Sequence, residues 1–206
     1  MDINITEEQR IKILNSDDLY CVMQQVLLRE GKIDRDKEHF WTVGLNVKNT
    51  ILYIELISMG GTYQTVVEPM QVFRVGVLKG AVKMILVHNH PSGELKPSEA
   101  DKDITDRLVQ VGNILQIEVV DHIIIAEKSY LSFEDTGLLL EIRKSTKYVP
   151  PYELENRMKK QAKAMKEEIV KQRNLEFAQL MKNQGEVVEK IMLYTGLTEA
   201  DIKKLK

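Results

Sequence analysis

Residues 84–101, MILVHNHPSGELKPSEAD, constrain the fold more than any other stretch, because one run dictates a strand, a tight loop and a helix start. Met84, Ile85, Leu86 and Val87 read as a short strand covered by protein on both faces. His88 and His90 follow, and in a strand residues i and i+2 share a face. Both imidazoles can therefore reach one ion. Pro91, Gly93 and Pro97 force a turn, and Ser98 opens a helical pattern continued by Ile104, Leu108, Val111 and Leu115. Asp101 then falls in the first helical turn, beside the histidines.

A catalytic zinc usually takes three protein ligands and keeps a fourth position for water. His88, His90 and Asp101 form such a set, with one Zn2+ per chain. A general base is still required. Glu38 is the leading candidate, because it precedes the first strand, where a sheet edge could bring it to the end of the His88 strand. Glu55 and Glu68 remain alternatives. The Ser98 hydroxyl could hold a developing oxyanion or position the water. Plainer readings stand beside these: HNH as a polar strand end, Ser98 with Asp101 as a helix cap, and Glu38 as loop surface. Asp121 and His122 face opposite ways in a strand, so they read as supports of the site or of the strand, not as a second metal pair.

Along the chain, Thr6 and Gln9 form a capping-box pattern that predicts a helix over 7–14. A second helix is expected over 16–31, where Asp17 and Asp18 favour the positive end and Leu19, Val22, Met23, Val26 and Leu27 form one apolar face. Cys21 lies in this helix and is expected in the core. Residues 32–37 read as an exposed charged loop. The β-rich runs 39–46 and 51–57 make a hairpin around Lys48-Asn49, and 63–67 reads as a third strand. Pro69 can begin a helix carrying Val72, Phe73, Val77 and Leu78. After the helix opened by Ser98, strands are expected over 117–125 and 130–133. Phe40, Trp41 and Tyr53 are expected as core and sheet-surface residues. The expected fold class is α/β in the α+β sense, a mixed β-sheet flanked by helices.

Pro150-Pro151 separates a domain of residues 1–150 from a helical tail of residues 151–206. Residues 153–183 contain no Gly or Pro and favour a long helix. The repeat of Leu154, Met158, Ala162, Met165 and Ile169 loses register before Leu175, so a short partner-packing helix is expected rather than a long coiled coil. Gly185 and Thr195-Gly196 then divide the rest into helix, turn and helix. The tail is a candidate for self-association or partner binding.

A chain of 206 residues can bury a sizeable core. Its single cysteine excludes an internal disulfide framework and fits a reducing compartment. The N-terminal stretch has no basic-then-apolar leader, and no apolar run approaches the roughly 20 residues that span a bilayer. A cytoplasmic location without a membrane partner is expected. Residues 1–150 hold 17 Lys and Arg against 22 Asp and Glu, and residues 151–206 hold 12 against 9, so the body is −5 and the tail +3. That is not the strongly basic footprint of a dedicated nucleic-acid binder.

His88-x-His90, seven residues, Ser98, two residues and Asp101 match the JAMM (MPN+) zinc hydrolase motif in full. The strings VHNHPSG and DHIII resemble the RadC branch of that superfamily, over about residues 19–138. The resemblance implies a JAB/MPN-like fold, zinc on His88, His90 and Asp101, and a glutamate near the first strand as base. Similarity around Glu38-His39-Phe40 assigns that base to Glu38. It implies a metallopeptidase or isopeptidase with a protein or peptide substrate, while RadC proteins also carry a DNA-repair label. Chains of that branch place a helix-hairpin-helix segment before the domain, and only 37 residues precede Glu38 here, which weakens a DNA role. The segment TGLTEADIKKL resembles terminal helix-turn-helix ends of several bacterial proteins. Three readings compete: a zinc-dependent amide hydrolase, a DNA-repair or mobile-element module binding nucleic acid or protein, and a metal-bearing recognition domain without turnover.

Overall fold

The computed structural model describes residues 12–60 and 67–205, and the chain divides into two compact units, residues 1–149 and 150–206. The strands of the first unit are β1 (His39–Leu45), β2 (Ile51–Met59), β3 (Lys83–Asn89), β4 (Glu118–Ile125) and β5 (Tyr130–Ser132). They form one mixed sheet in the order β2-β1-β3-β4-β5. β1 and β2 make the expected antiparallel hairpin. β3, the central strand, pairs antiparallel with β1 and parallel with β4. Parallel neighbours need a crossover, and α4 (Glu99–Leu115) supplies it.

Both faces of the sheet are covered, which is why β1 and most of β3 are apolar and buried along their length. One face packs α1 (Ser16–Arg29) through Leu19, Val22, Met23, Val26 and Leu27 against Trp41, Val43, Ile85, Val87 and Ile123. The other face carries Phe40, Met84, Leu86 and Ile124 against α3 (Pro69–Lys79), α4 and α5 (Leu138–Ile142). His88 shares this second face by the alternation of the strand. Burial of these apolar faces, at roughly 25 cal/mol per Å², is what fixes the position of each strand end.

Several expectations are corrected. Cys21 is exposed, because the helical period turns it away from the stripe that starts at Leu19. Residues 32–37 are not an open loop: Asp34 and Arg35 N–H groups both donate to the Gly31 carbonyl, closing the one-turn α2 (Lys32–Arg35). The helix expected over 7–14 falls mostly outside the described residues, and Lys12 within it bridges Thr50 in an extended pairing. Residues 63–66 of the expected third strand also lie outside the described residues, while Val67 is buried and belongs to no strand. α5 has no counterpart in the sequence reading, since five residues are too short to show a period.

The second unit contains α6 (Pro151–Asn183), α7 (Val188–Thr195) and α8 (Glu199–Lys204). α6 is one helix of 33 residues, the long helix that the run without Gly or Pro over 153–183 favours. Unbroken high-propensity residues sustain it even though only Ala178 and Met181 in it are buried. Its core joins those two to Ile191 and Ile202. Among the described residues, no helix is long and apolar enough to cross a membrane.

Candidate metal centre

The end of β3 and the start of α4 bring His88, His90 and Asp101 together, with one ligand atom from each lying within 4.8 Å of the others. His88 Nε2 is 3.0 Å from His90 Nε2 and 3.3 Å from Asp101 Oδ1, and His90 Nε2 is 3.7 Å from Asp101 Oδ2. Ligands at about 2.0–2.2 Å from a tetrahedral ion stand about 3.3 Å apart, so the observed separations bracket that spacing. The second ring nitrogens are engaged elsewhere. His90 Nδ1 is 2.5 Å from the Glu94 carbonyl, which can only accept, so Nδ1 carries the proton and Nε2 presents its lone pair. His88 Nδ1 contacts His122 Nε2 at 2.8 Å. Two imidazole nitrogens facing each other beside a carboxylate fit a divalent cation of the zinc type.

Ser98 caps α4 and holds Asp101. The Asp101 N–H donates to Ser98 Oγ at 3.1 Å, and the Ser98 N–H and hydroxyl both donate to Asp101 Oδ2, at 2.7 and 2.6 Å. This is a reciprocal capping box. Oδ2 is thereby tied to the helix start and Oδ1 is left toward His88. Burial pushes the Asp101 pKa up, but its interactions with the His88 and His90 rings and the hydrogen bond from the Ser98 hydroxyl outweigh it and hold the carboxyl well below the usual range. Asp101 as acceptor for a protonated His90 Nε2 raises the His90 pKa, helped against burial by the Glu94 carbonyl and by the charges of Asp101 and Glu38.

Glu38 lies just before β1, whose Phe40 pairs with His88. Asn89, the middle residue of HNH, clamps the backbone on both sides of Glu38: its Oδ1 accepts from the His39 N–H at 2.7 Å, and its Nδ2 donates to the Lys37 carbonyl at 3.0 Å. The alternation that sends His88 to one face sends Asn89 to the other, where it reaches this segment. Two clefts adjoin the three ligands. One of about 280 Å³ is lined by Glu38, Phe40, His88, Ser98 and Asp101, and one of about 450 Å³ by Glu38, His90, Glu94, Lys96 and Ser98. Glu38 and Ser98 thus border both. Glu55 is buried in β2 opposite Thr42, and Glu68 precedes α3; neither lines these clefts.

Residues 13–138 match the family described as the RadC-like JAB domain. The chain belongs to that family. A UPF0758 protein of Flavobacterium johnsoniae is 42% identical over 127 residues, which are 62% of this chain and 53% of the relative. One from Chlorobium chlorochromatii is 38% identical over 138 residues, 66% of this chain and 60% of the relative. One from Caldanaerobacter subterraneus is 47% identical over 111 residues, 54% and 48%. The chain spans about half the length of the curated relatives it matches. The matched region of the RadC-like JAB unit contains the whole ligand set, Ser98 and Glu38.

Four further residues lie around this RadC-like site, of which His122 and Asp121 were read from the sequence as supports of the site or of the strand. His122, fully buried, meets His88, and its pKa is driven well below the ordinary value by burial and by the neighbouring His88. Asp121 faces the other way and accepts from Ser132 Oγ, the Glu134 N–H and the His122 N–H; burial pushes its pKa up to about 6 against those bonds. Thr105 and Asn89 were passed over. Their signal was polarity where the pattern demands apolar residues: Thr105 on the inner stripe of α4, Asn89 at the end of an otherwise apolar strand.

Proposed function

We propose that the RadC-like JAB unit is a zinc-dependent hydrolase that cleaves an amide bond in a protein or peptide substrate. The observation that carries the reading is the convergence of His88, His90 and Asp101 on one point, with Glu38 on the wall of both adjoining clefts. His88, His90 and Asp101 would hold the zinc, which when bound would supply a Lewis acid able to polarise a carbonyl and acidify water at neutral pH. Glu38 is outside the ligand set, so its carboxylate can take a proton from the attacking water and deliver it to the amine nitrogen as the C–N bond breaks. The Asn89 clamp keeps that carboxylate at the cleft, which limits the motion lost on reaching the reactive geometry. Ser98 first serves Asp101, and its hydroxyl can turn to a developing oxyanion only by releasing Oδ2.

Glu38→Gln tests this reading, because it keeps the side-chain volume and the backbone clamp while removing the proton acceptor. Wild-type and Glu38→Gln protein are incubated with cell extract and new peptide termini are mapped. The wild type is expected to generate termini that the variant produces roughly 10²–10⁴-fold more slowly, with zinc binding unchanged. Equal terminus profiles from the two proteins would contradict catalysis through Glu38.

A further inference from the structure

We propose that His122 and Thr105 are positioning residues that fix His88 in the one ring tautomer able to ligate through Nε2, in a hydrogen-bond chain that begins on the Asp101 backbone. The inference deepens the zinc reading above and rests on it. The chain runs through three elements. Thr105 Oγ1 lies 2.5 Å from the Asp101 carbonyl oxygen and 2.6 Å from His122 Nδ1, and His122 Nε2 lies 2.8 Å from His88 Nδ1. His88 Nε2 then returns to Asp101 at Oδ1, 3.3 Å away.

Proton directions along this chain follow from what each atom can do. A carbonyl oxygen only accepts, so the Thr105 proton lies on the Asp101 carbonyl. The Thr105 oxygen has no second proton and must accept from His122 Nδ1–H. His122 is fully buried between the rings of Phe40 and Phe133, with centroids 5.7 and 4.8 Å away, and its ring makes no hydrogen bond to a carboxylate. A neutral imidazole protonated at Nδ1 presents a lone pair at Nε2. His88 Nδ1 must therefore be the donor, and His88 Nε2 is left unprotonated toward His90 and Asp101. Moving the His88 proton from Nδ1 to Nε2 would set two lone pairs against each other across the buried His88–His122 contact. The sheet holds the geometry: β3 and β4 are hydrogen-bonded neighbours, with Leu86 paired to His122 and His88 to Ile124.

The chain joins the two ligands that come from different elements, His88 on β3 and Asp101 on α4. A change at Thr105, which touches no metal position itself, should therefore alter metal binding. Partners that orient a ligating histidine generally matter at about 10–100-fold in metal affinity when removed.

The test uses the full chain. Zinc affinity is measured by competition with a chromophoric chelator, and the tautomer of His88 is read in the zinc-free protein by long-range 1H–15N NMR on 15N-histidine samples. Thr105→Val keeps the shape and removes the oxygen that His122 needs; Thr105→Ser keeps the oxygen. Expected are a His88 ring protonated at Nδ1 in the wild type, a loss of about 10–100-fold in zinc affinity with a mixed tautomer in Thr105→Val, and recovery in Thr105→Ser. Equal affinities for wild type and Thr105→Val, or a Thr105→Ser protein as weak as Thr105→Val, would overturn the proposal. A wild-type His88 found protonated at Nε2 overturns it even if Thr105→Val does not fold. A wild type that binds no zinc but shows the expected tautomer overturns the zinc reading and leaves the hydrogen-bond chain standing.

Discussion

The two sides of the metal cradle are built in opposite ways. On the inner side, His88 sits in the seam between the sheet and α4, fully buried, and its far nitrogen meets another buried side chain, His122. On the outer side, His90 retains 18% of its side-chain exposure, and its far nitrogen meets a backbone carbonyl of the loop, that of Glu94. Asp101 joins them from the helix start. The difference teaches that one ligand is oriented by the core of the fold and the other by a loop that can be remodelled without unfolding the sheet. Such a division suits a centre that must be rigid behind and open in front.

Alanine at each histidine gives the largest test of this contrast. In metal-free protein, His88→Ala leaves His122 Nε2 without its donor inside the seam, and should cost about 1–3 kcal/mol in urea unfolding. His90→Ala loses the Glu94 contact and its contacts with His88 and Asp101 but leaves no donor or acceptor stranded in the seam, and should cost only about 0.5 kcal/mol. Equal destabilisation by the two would erase the distinction between the sides. Ser98→Ala sharpens it at smaller scale, since it removes the hydroxyl that caps the Asp101 N–H and donates to Oδ2, while the backbone N–H of residue 98 still donates to Oδ2. About 1 kcal/mol of stability should be lost, and Asp101 Oδ2, left with one of its two bonds from residue 98, should be held less firmly, with weaker zinc binding. A stable variant with unaltered zinc affinity would show that the loop and helix start hold Asp101 without the serine.

How much of this was readable from the residues differs along the same division. The period of two in HNH, the turn forced by Pro91, Gly93 and Pro97, and the Ser98–Asp101 cap are local signals, so the strand–loop–helix carrier and the convergence of His88, His90 and Asp101 were legible. So was the mixed sheet, because its hairpin and its buried central strand follow from short-range pattern. The partners on the inner side were not. Thr105, His122 and Asn89 meet His88 and the Glu38 segment only after β3, β4, β1 and α4 have packed, and a one-dimensional period carries no record of which polar residue in a buried strand finds which partner. Cys21 went astray for a related reason: it sits among the apolar residues of α1 in sequence but off their stripe in the helix. The length of α6 was legible in the run of residues 153–183 without Gly or Pro, while its broken apolar register left open what it packs against.

The most direct test of the central claim is the zinc content and affinity of the purified chain, measured by equilibrium dialysis and elemental analysis beside Asp101→Ala. The account predicts about one zinc per wild-type chain and little retained by the variant. A wild type that binds no zinc, or an Asp101→Ala protein that binds it as tightly, would contradict it.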